Sequence, residues 1–197
     1  MILDRSKIIQ IYIDKIKAKK YLEIGMGAGL NFASINCEYK VCVDSTPTVP
    51  VTFRLTSDDF FSQNTENFDV IFIDGLHWSE QVYKDIVNSL KILNKGGVIV
   101  CHDMNPHSEI IQRFPQAIPE SEWTGDCWKA WVKLKIERND LNMFVVDTDY
   151  GCGVITMGKQ TLISFDDELT WDTLNNNRVK LLNLISVDDF NKIINET

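Results

Sequence analysis

The chain has 197 residues, of which 44% are hydrophobic and 24% charged, a composition typical of a globular domain. This length fits one domain. Twenty Lys and Arg residues are outnumbered by 28 Asp and Glu residues, and the net charge is −8. That balance excludes a general nucleic-acid binder, because phosphate binding requires a basic face.

The sequence shows no pattern typical of a membrane-spanning segment, a secretory signal or a disulfide framework. No stretch approaches the roughly 18–20 consecutive apolar residues that cross a bilayer, and the first residues lack the apolar core of a secretory signal. The five cysteines are scattered and form no C-x-x-C pair. We therefore predict a soluble cytoplasmic protein with no membrane contact, disulfide framework or zinc knuckle, and a homo-oligomer is compatible with the sequence.

The first half of the chain alternates helical and strand patterns. Apolar residues at helical spacing predict an amphipathic helix over residues 4–19. Short strands are predicted at residues 21–24, 41–43 and 51–55, and a second helix begins within residues 30–35.

The central part of the chain continues this alternation. Residues 68–74 form a continuous β-branched and aromatic run, which is typical of a buried parallel strand. Val82, Ile86, Leu90 and Leu93 then indicate a helix. We expect Gly96 and Gly97 to end it before a strand at residues 98–101. Strands alternating with helices predict a parallel sheet covered on both faces.

The end of the core departs from simple alternation. A helix is predicted over residues 128–136, followed by strands at 143–146 and 153–157. A parallel crossover needs a dozen or more residues, so the link at 147–152 predicts a hairpin and an antiparallel last strand. The acidic residues 166–168 fit a solvated surface, and Val179, Leu182 and Ile185 predict a last helix.

These patterns predict a single α/β domain with a Rossmann-like doubly wound sheet. The sheet is mostly parallel, and its last strand is antiparallel and entered by a hairpin. We divide the chain into an N-terminal helix at 4–19, a core at 20–158 and a helical extension at 159–197.

A glycine-rich turn follows the first strand. Gly25, Gly27 and Gly29 stand at alternate positions, where glycine permits positive φ and lets a ligand approach the backbone closely. The spacing is G-x-G-x-G, not the G-x-G-x-x-G that seats a pyrophosphate. Glu23 lies inside the strand and aims a carboxylate at the turn, which suits a ligand that carries an ammonium group or bound water. Three such glycines make a ligand-free structural turn an unattractive explanation.

Acidic residues also follow the next two predicted strands. Asp44 ends the second strand about twenty residues on, where a ribose diol is usually bound. Ser57 and Asp58 follow the third strand, and Asp58 could accept a hydrogen bond from an adenine amino group. The alternative for Asp58 or Asp59 is a helix N-cap.

Taken in order, these motifs resemble the class I S-adenosylmethionine-dependent methyltransferases. The resemblance covers residues 20–158, and that family's sheet also ends in an antiparallel strand entered by a hairpin. It implies methyl transfer from S-adenosylmethionine, with Glu23 near the methionine amino group and Asp44 on the ribose hydroxyls. The predicted cofactor-binding set is Glu23, Gly25, Met26, Gly27, Gly29, Asp44, Ser45, Ser57, Asp58 and Asp74.

A second group of polar residues follows the fourth and fifth predicted strands. Asp74 and His77 lie after one strand, and His102 and Asp103 after the next, so all should face the same crevice. Methyl transfer to oxygen needs a base, or a metal that lowers the hydroxyl pKa. Neutral imidazole is a suitable base near pH 7, and carboxylates are suitable Mg²⁺ ligands.

The D-x-x-H spacing of Asp74 and His77 is similar to that of metal-dependent O-methyltransferases acting on sugars of natural products. By that analogy Asp74 and Asp103 hold Mg²⁺ while His77 acts as base. His102 stands where those enzymes usually have a second acid, which would suit a softer divalent ion. His102 is thus a further catalytic candidate or a supporting hydrogen bonder. Structural alternatives are that His77 caps a helix and Asp103 fixes a loop; His107 carries no pattern and is expected at the surface.

The acceptor is expected near the aromatic residues 118–131, which could form a lid or a stacking surface. Of Trp128 and Trp131, we expect one in the core and one in the pocket, with Trp78 at the rim and Cys127 as a buried small hydrophobe.

The sequence therefore predicts a methyltransferase acting on a small-molecule hydroxyl such as a sugar's. A nicotinamide-dependent oxidoreductase is disfavoured by the glycine spacing, by Glu23 and by the hairpin. A catalytically silent binding module with the same fold stays open.

Overall fold

A seven-stranded mixed sheet organises the part of the chain that the computed structural model describes, residues 3–119, 121–165 and 167–196. Glu120 of the predicted aromatic segment and Asp166 of the predicted acidic stretch lie outside these ranges, as do residues 1–2 and 197. The strands are β1 Lys20–Ile24, β2 Tyr39–Val43, β3 Phe68–Ile73, β4 Leu93–Cys101, β5 Leu141–Val146, β6 Cys152–Met157 and β7 Leu184–Ile185. Their order across the sheet is β2-β1-β3-β4-β6-β5-β7.

Helices cover both faces of this sheet, as predicted. They are α1 Arg5–Ile16, α2 Leu30–Ser34, α3 Ser57–Gln63, α4 Ser79–Lys91, α5 Cys127–Glu137, α6 Trp171–Leu182 and α7 Val187–Glu196. Alternate residues of β3 point to opposite faces, so Val70 and Phe72 pack against α1, whereas Ile71 and Ile73 join the core under α4 and α5. The Rossmann-like α/β fold class is confirmed.

The hairpin near the end of the core is also confirmed. β6 runs antiparallel to both β4 and β5 and lies between them, and residues 147–151 connect β5 to β6. Five residues suffice for a hairpin but not for a parallel crossover. This insertion brings the 147–151 turn beside the end of β4, where Gly151 accepts a hydrogen bond from the Met104 amide.

Two predictions for the first half of the chain were wrong. Residues 51–55 do not form a strand, and Phe53 makes only an isolated parallel bridge to Val43. β2 is the edge of the sheet, and Pro50 has no N–H to extend the pairing. Gly96 and Gly97 do not end a helix, because α4 stops at Lys91 and β4 already begins at Leu93. Gly97 is needed inside the strand, where a Cβ would lie 2.6 Å from the Asp69 carbonyl oxygen.

The C-terminal extension is more divided than predicted. Ile185 belongs to β7, which pairs in parallel with β5, and not to a helix. Asn183 takes a left-handed conformation after α6 and turns the chain toward this strand, and α7 follows. Among the described residues, no helix is both long and apolar enough to span a membrane.

Candidate active site

The glycine turn connects β1 to α2 and gives the site its first wall. Gly25, Gly27 and Gly29 all have positive φ, of 84°, 53° and 74°. A Cβ on Gly25 would lie 2.0 Å from the Asp74 backbone oxygen, whereas a Cβ on Gly27 would meet no atom within 4 Å. Gly25 is therefore required by packing, and Gly27 leaves open space for a ligand.

Glu23 lies at the end of β1 and is 1% exposed. Its Oε2 accepts hydrogen bonds from the Tyr21 hydroxyl at 2.5 Å and from Asn31 Nδ2 at 2.8 Å. Burial raises the pKa of Glu23 to about 7, although both hydrogen bonds oppose this shift. Asn31 Oδ1 is buried without a partner among the described residues. An unpaired buried acceptor beside a buried carboxylate indicates a site for a cationic donor.

Asp44 follows β2 and closes the turn from the other side. Its Oδ2 accepts from the amides of Met26 at 3.0 Å and Gly27 at 2.8 Å, and its Oδ1 accepts from the Thr46 amide at 2.8 Å. The carboxylate therefore holds the shape of the glycine turn in this structure. Ser45, which follows Asp44, is exposed.

Ser57 and Asp58 lie farther away, in the first turn of α3. The helix N-cap is Thr56, whose hydroxyl accepts from the Asp59 amide, so neither aspartate has the capping role considered above. Gln81 of α4 donates to the Ser57 hydroxyl and to Asp58.

A cavity of about 780 Å³ connects the glycine turn to the polar residues after β3 and β4. It is lined at one end by Glu23, Gly25, Met26, Gly27 and Asn31, and at the other by Asp74, His77, His102 and Asp103. Gly29, Asp44, Ser45, Ser57 and Asp58, which also belong to the predicted cofactor-binding set, do not line it. The structure thus brings together both predicted groups but leaves the proposed ribose and adenine contacts outside this cavity.

The acid and imidazole groups form one buried cluster. His102 Nδ1 lies 3.1 Å from Asp103 Oδ1 and 3.4 Å from Asp74 Oδ1. His77 Nε2 lies 3.3 Å from both Asp74 Oδ1 and Asp103 Oδ2. Asp103 has a φ of 65°, a strained conformation of the kind that concentrates at functional sites.

The charges in this cluster shift one another's pKa values. Burial would lower the pKa of His102, but Asp74 and Asp103 raise it well above its ordinary value. The pKa of His77 is also raised, because the same two carboxylates outweigh burial. Burial would raise the pKa of Asp74, and the two imidazoles instead hold it well below the usual range. These groups therefore stabilise the protonated imidazoles and the ionised carboxylate.

Arg5 brings a permanent positive charge into the same cluster. Its NH1 donates to Asp74 Oδ2 at 3.0 Å and lies 3.3 Å from His102 Nδ1. Asp149, in the hairpin turn, accepts from Arg5 Nε at 2.9 Å, from NH2 at 3.0 Å and from the Arg5 backbone amide at 2.9 Å. The bidentate contact and the amide fix the guanidinium in place.

The comparisons with known proteins agree with this architecture. Residues 41–104 match a family model described as a methyltransferase domain, and these residues include Asp44 and the whole Asp74–Asp103 cluster. Cofactor-bound Rv0187 from MTB superposes with a TM-score of 0.62 at 17% identity, over 79% of this chain and 80% of that chain. The chain has a class I methyltransferase fold.

Two further solved structures share this methyltransferase fold. The SAH-bound methyltransferase PaMTH1 of Podospora anserina gives a TM-score of 0.58 at 16% identity, over 79% of this chain and 78% of that chain. The O-methyltransferase of Bacillus cereus in complex with SAH gives 0.54 at 17% identity, over 77% and 78%. A comparison with curated proteins finds no match. The resemblance in fold that the sequence predicts is confirmed by these structures.

Three residues of the cluster carry suitable ligand atoms for a divalent metal, but the guanidinium beside them would repel the ion. Ligand atoms of Asp74, His102 and Asp103 lie within 4.8 Å of one another. Arg5 NH1, however, already contacts Asp74 and His102. A divalent ion about 4 Å from a guanidinium would be repelled by roughly 8 kcal/mol at an effective dielectric constant of about 20. The residues as arranged therefore do not fit a bound metal.

Trp123 lines the cavity beside His77, and further aromatic rings stack behind it. The Trp123 ring lies 5.0 Å from the His77 ring, and the Phe114 ring stacks 6.1 Å from Trp123 and 5.6 Å from Trp78. Trp123 also fixes the imidazole, because its backbone oxygen accepts from His77 Nδ1 at 2.9 Å. Trp78 stacks on Phe114 but does not line the cavity, so its place at the rim stays a prediction.

The prediction that one of Trp128 and Trp131 lies in the pocket was wrong, since both are fully buried in the core. Their indole N–H groups donate to Gln112 Oε1 and to the Leu182 carbonyl, so neither needs contact with solvent. Cys127 is buried and His107 is exposed, as predicted. All five cysteines are free.

Several residues of the site were missed at the sequence level. Asn31 stands two residues after the glycine turn, and this position could have indicated it. Asp149 occupies the predicted hairpin link, where an acid beside Gly151 was a weak signal. Arg5 carries no such signal, because its partner is 144 residues away in the chain.

Proposed function

We propose that the chain is an S-adenosylmethionine-dependent O-methyltransferase that acts on a small-molecule hydroxyl such as that of a sugar. The observation that carries this proposal is the pairing of two groups in one cavity. At one end, buried Glu23 and the unpaired Asn31 Oδ1 await a cationic donor. At the other, His77 lies against two carboxylates.

The glycine-turn end suits the methionine part of the cofactor. Its ammonium group would donate to Glu23 and to Asn31 Oδ1, and the charge would compensate for the desolvation of Glu23. Gly25, Met26, Gly27 and Gly29 would supply backbone next to the ligand. SAH-bound structures with this fold from Podospora anserina and Bacillus cereus support the assignment.

The remaining cofactor contacts are proposed from position. Asp44 Oδ1 accepts only the Thr46 amide among the described contacts, so one of its acceptor positions remains for a ribose hydroxyl. Ser45 follows it, and Ser57 and Asp58 would meet the adenine once the cofactor extends beyond the cavity. Asp74 completes the set from the tip of β3.

His77 is proposed as the general base. Because Nδ1 donates to the Trp123 carbonyl, Nε2, which faces Asp74 Oδ1 and Asp103 Oδ2, is the atom that must lose its proton before His77 can act as a base. The acceptor O–H bond breaks and its proton moves to Nε2, while the oxygen forms a bond to the methyl carbon. The carbon–sulfur bond breaks and its electron pair stays on sulfur, leaving neutral S-adenosylhomocysteine. Asp74 and Asp103 stabilise the resulting imidazolium.

His102 and the aromatic rim have supporting parts in this proposal. His102 is 4% exposed and contacts Asp74 and Asp103, so it orients the acids rather than meeting the acceptor. The rings of Trp123 and Phe114 offer apolar faces on which a sugar or a flat acceptor can pack. The proposed mechanism uses no Mg²⁺ at Asp74 and Asp103, because the Arg5 guanidinium already contacts Asp74 and His102.

Calorimetric titration with S-adenosylmethionine, S-adenosylhomocysteine and NAD tests the cofactor assignment. We expect the first two to bind and NAD not to bind. Glu23→Gln should weaken both by ten-fold or more, since a hydrogen bond to a charged group contributes about 1.5–3 kcal/mol. The exposed Glu80→Gln serves as control. Preferential binding of NAD would overturn the assignment in favour of an oxidoreductase.

Turnover is then measured as S-adenosylhomocysteine formed with a panel of sugars and phenols. His77→Gln should lower kcat about 10²- to 10⁴-fold, the usual contribution of a general base. The cofactor Kd should not change. His107→Gln is the matched control, because that imidazole is exposed. A protein that binds the cofactor but methylates no acceptor would be a silent binding module.

A further inference from the structure

Arg5 joins the acid cluster from the start of α1, far along the chain from the other members. It begins α1, and its guanidinium reaches across the end of β3 to Asp74 and across the hairpin turn to Asp149. The cluster thereby contains one permanent cation among three carboxylates, those of Asp74, Asp103 and Asp149. We propose that Arg5 is the resident cation of the acceptor pocket and takes the place of a divalent metal.

The anchoring of Arg5 supports this role. Asp149 accepts three hydrogen bonds from Arg5, two from the guanidinium and one from the backbone amide. The preceding turn residue, Thr148, donates its hydroxyl to the Leu3 carbonyl at 2.6 Å, which ties the same two segments together. Swinging the side chain away would therefore remove two hydrogen bonds from half-buried Asp149 and leave it only the Arg5 backbone amide and His102 Nε2, 3.4 Å away.

The guanidinium also competes directly with a metal for ligands. Its NH1 donates to Asp74 Oδ2 and lies beside His102 Nδ1, and both residues belong to one of the two three-residue sets among the described residues that could otherwise hold an ion. A divalent ion at these atoms would have to displace Arg5 or bear its repulsion. Loss of the guanidinium alone should therefore create a cation site from residues already in position.

Arg5 can also act on the acceptor. It lines the cavity, and its NH2 donates one of its two hydrogens to Asp149 with no second partner among the described residues. The positive charge would stabilise the negative charge that develops on the acceptor oxygen as its proton leaves. Only this part of the inference rests on the proposed function. Arg5 is then a positioning and electrostatic residue that needs no added metal.

Titration with Mn²⁺ tests the inference without any activity assay. Binding is measured as the loss of the free-ion signal in electron paramagnetic resonance. We expect Arg5→Gln to bind Mn²⁺ at least ten-fold more tightly than the wild-type protein. Adding Asp74→Asn to Arg5→Gln should abolish the gain, which locates the ion. Arg5→Lys should bind Mn²⁺ as weakly as wild type because it keeps the charge. Lys19→Gln changes the net charge as Arg5→Gln does, but at an exposed ion pair, and it should also match wild type.

Tight wild-type binding of Mn²⁺ that Asp74→Asn removes would overturn the inference, because the metal and Arg5 would then coexist. A failure of Arg5→Gln to gain binding while it stays folded by circular dichroism would also overturn it. If Arg5→Gln does not fold, the wild-type and Arg5→Lys titrations still decide. Failure of the cofactor titration would instead remove the proposed function and leave these results unaffected.

Discussion

The buried carboxylate of Glu23 makes folding stability depend on pH in a way that one substitution can isolate. Its pKa is about 7 in the folded chain and 4.5 as the ordinary value, chiefly because burial disfavours the charged form. The folded state therefore binds more protons than the unfolded state between these pH values. The stability associated with protonated Glu23 is fully present below pH 4.5 and is lost as the pH rises through 7.

Glu23→Gln removes this titration while keeping a similar shape and an oxygen for the Tyr21 hydroxyl. A shift of 2.5 pKa units corresponds to about 3 kcal/mol, and about 2 to 3 kcal/mol of it falls between pH 5 and pH 8. We therefore expect the free energy of unfolding of the variant, relative to wild type, to rise by about that amount over this interval.

Urea unfolding at the two pH values, without cofactor, measures this difference through the midpoint and slope of each transition. Glu80→Gln, which removes an exposed carboxylate, should show no comparable change. A Glu23→Gln difference that is equal at pH 5 and pH 8 would refute the reasoning, since it would mean that Glu23 ionises as freely inside the fold as outside it.

Two matched pairs of substitutions test the rest of the site. Gly25→Ala should cost about 3 kcal/mol or more of unfolding free energy, because its Cβ would lie 2.0 Å from the Asp74 oxygen. Gly27→Ala should cost only about 1–2 kcal/mol of left-handed strain yet weaken cofactor binding in a titration. Trp131→Ala should lower stability by about 3–5 kcal/mol in urea unfolding, as expected for a fully buried indole. Trp123→Ala, at the cavity, should change stability little and raise the acceptor KM; equal stability losses in the two tryptophan variants would contradict this assignment.

The strands of the sheet centre could be predicted because burial on both faces requires a continuous apolar run. Residues 68–74 show this directly, and the short 147–152 link was enough to predict the direction of β6. The same reasoning failed at residues 51–55, which have strand-like residues but lie beside an edge strand and behind Pro50. Local pattern reports what a segment prefers, and not whether a neighbour is available to pair with it.

Some residues of the candidate site could likewise be predicted from the sequence, and others could not. Asp74, His77, His102 and Asp103 could be predicted to meet, because they follow neighbouring strands of one sheet. Arg5 and Asp149 could not, since their contact depends on where α1 docks against a hairpin turn at the other end of the chain. The chemical consequence is large. The sequence predicts a metal ion in the acid cluster, whereas the structure places the Arg5 guanidinium there.

The order of the strands is consistent with the proposed reaction between the two ends of the cavity. β1 lies between β2 and β3, so the Glu23 and glycine-turn tip stands between the Asp44 tip and the Asp74 tip, each one strand spacing of about 4.8 Å away. A cofactor that binds its amino acid at β1 and its ribose at β2 has its sulfur between them. The acceptor must then enter from the remaining side, at the tips of β3 and β4. Those tips carry His77 and the carboxylates, so the proposed base would meet the acceptor oxygen on the side of the sheet that the cofactor leaves free.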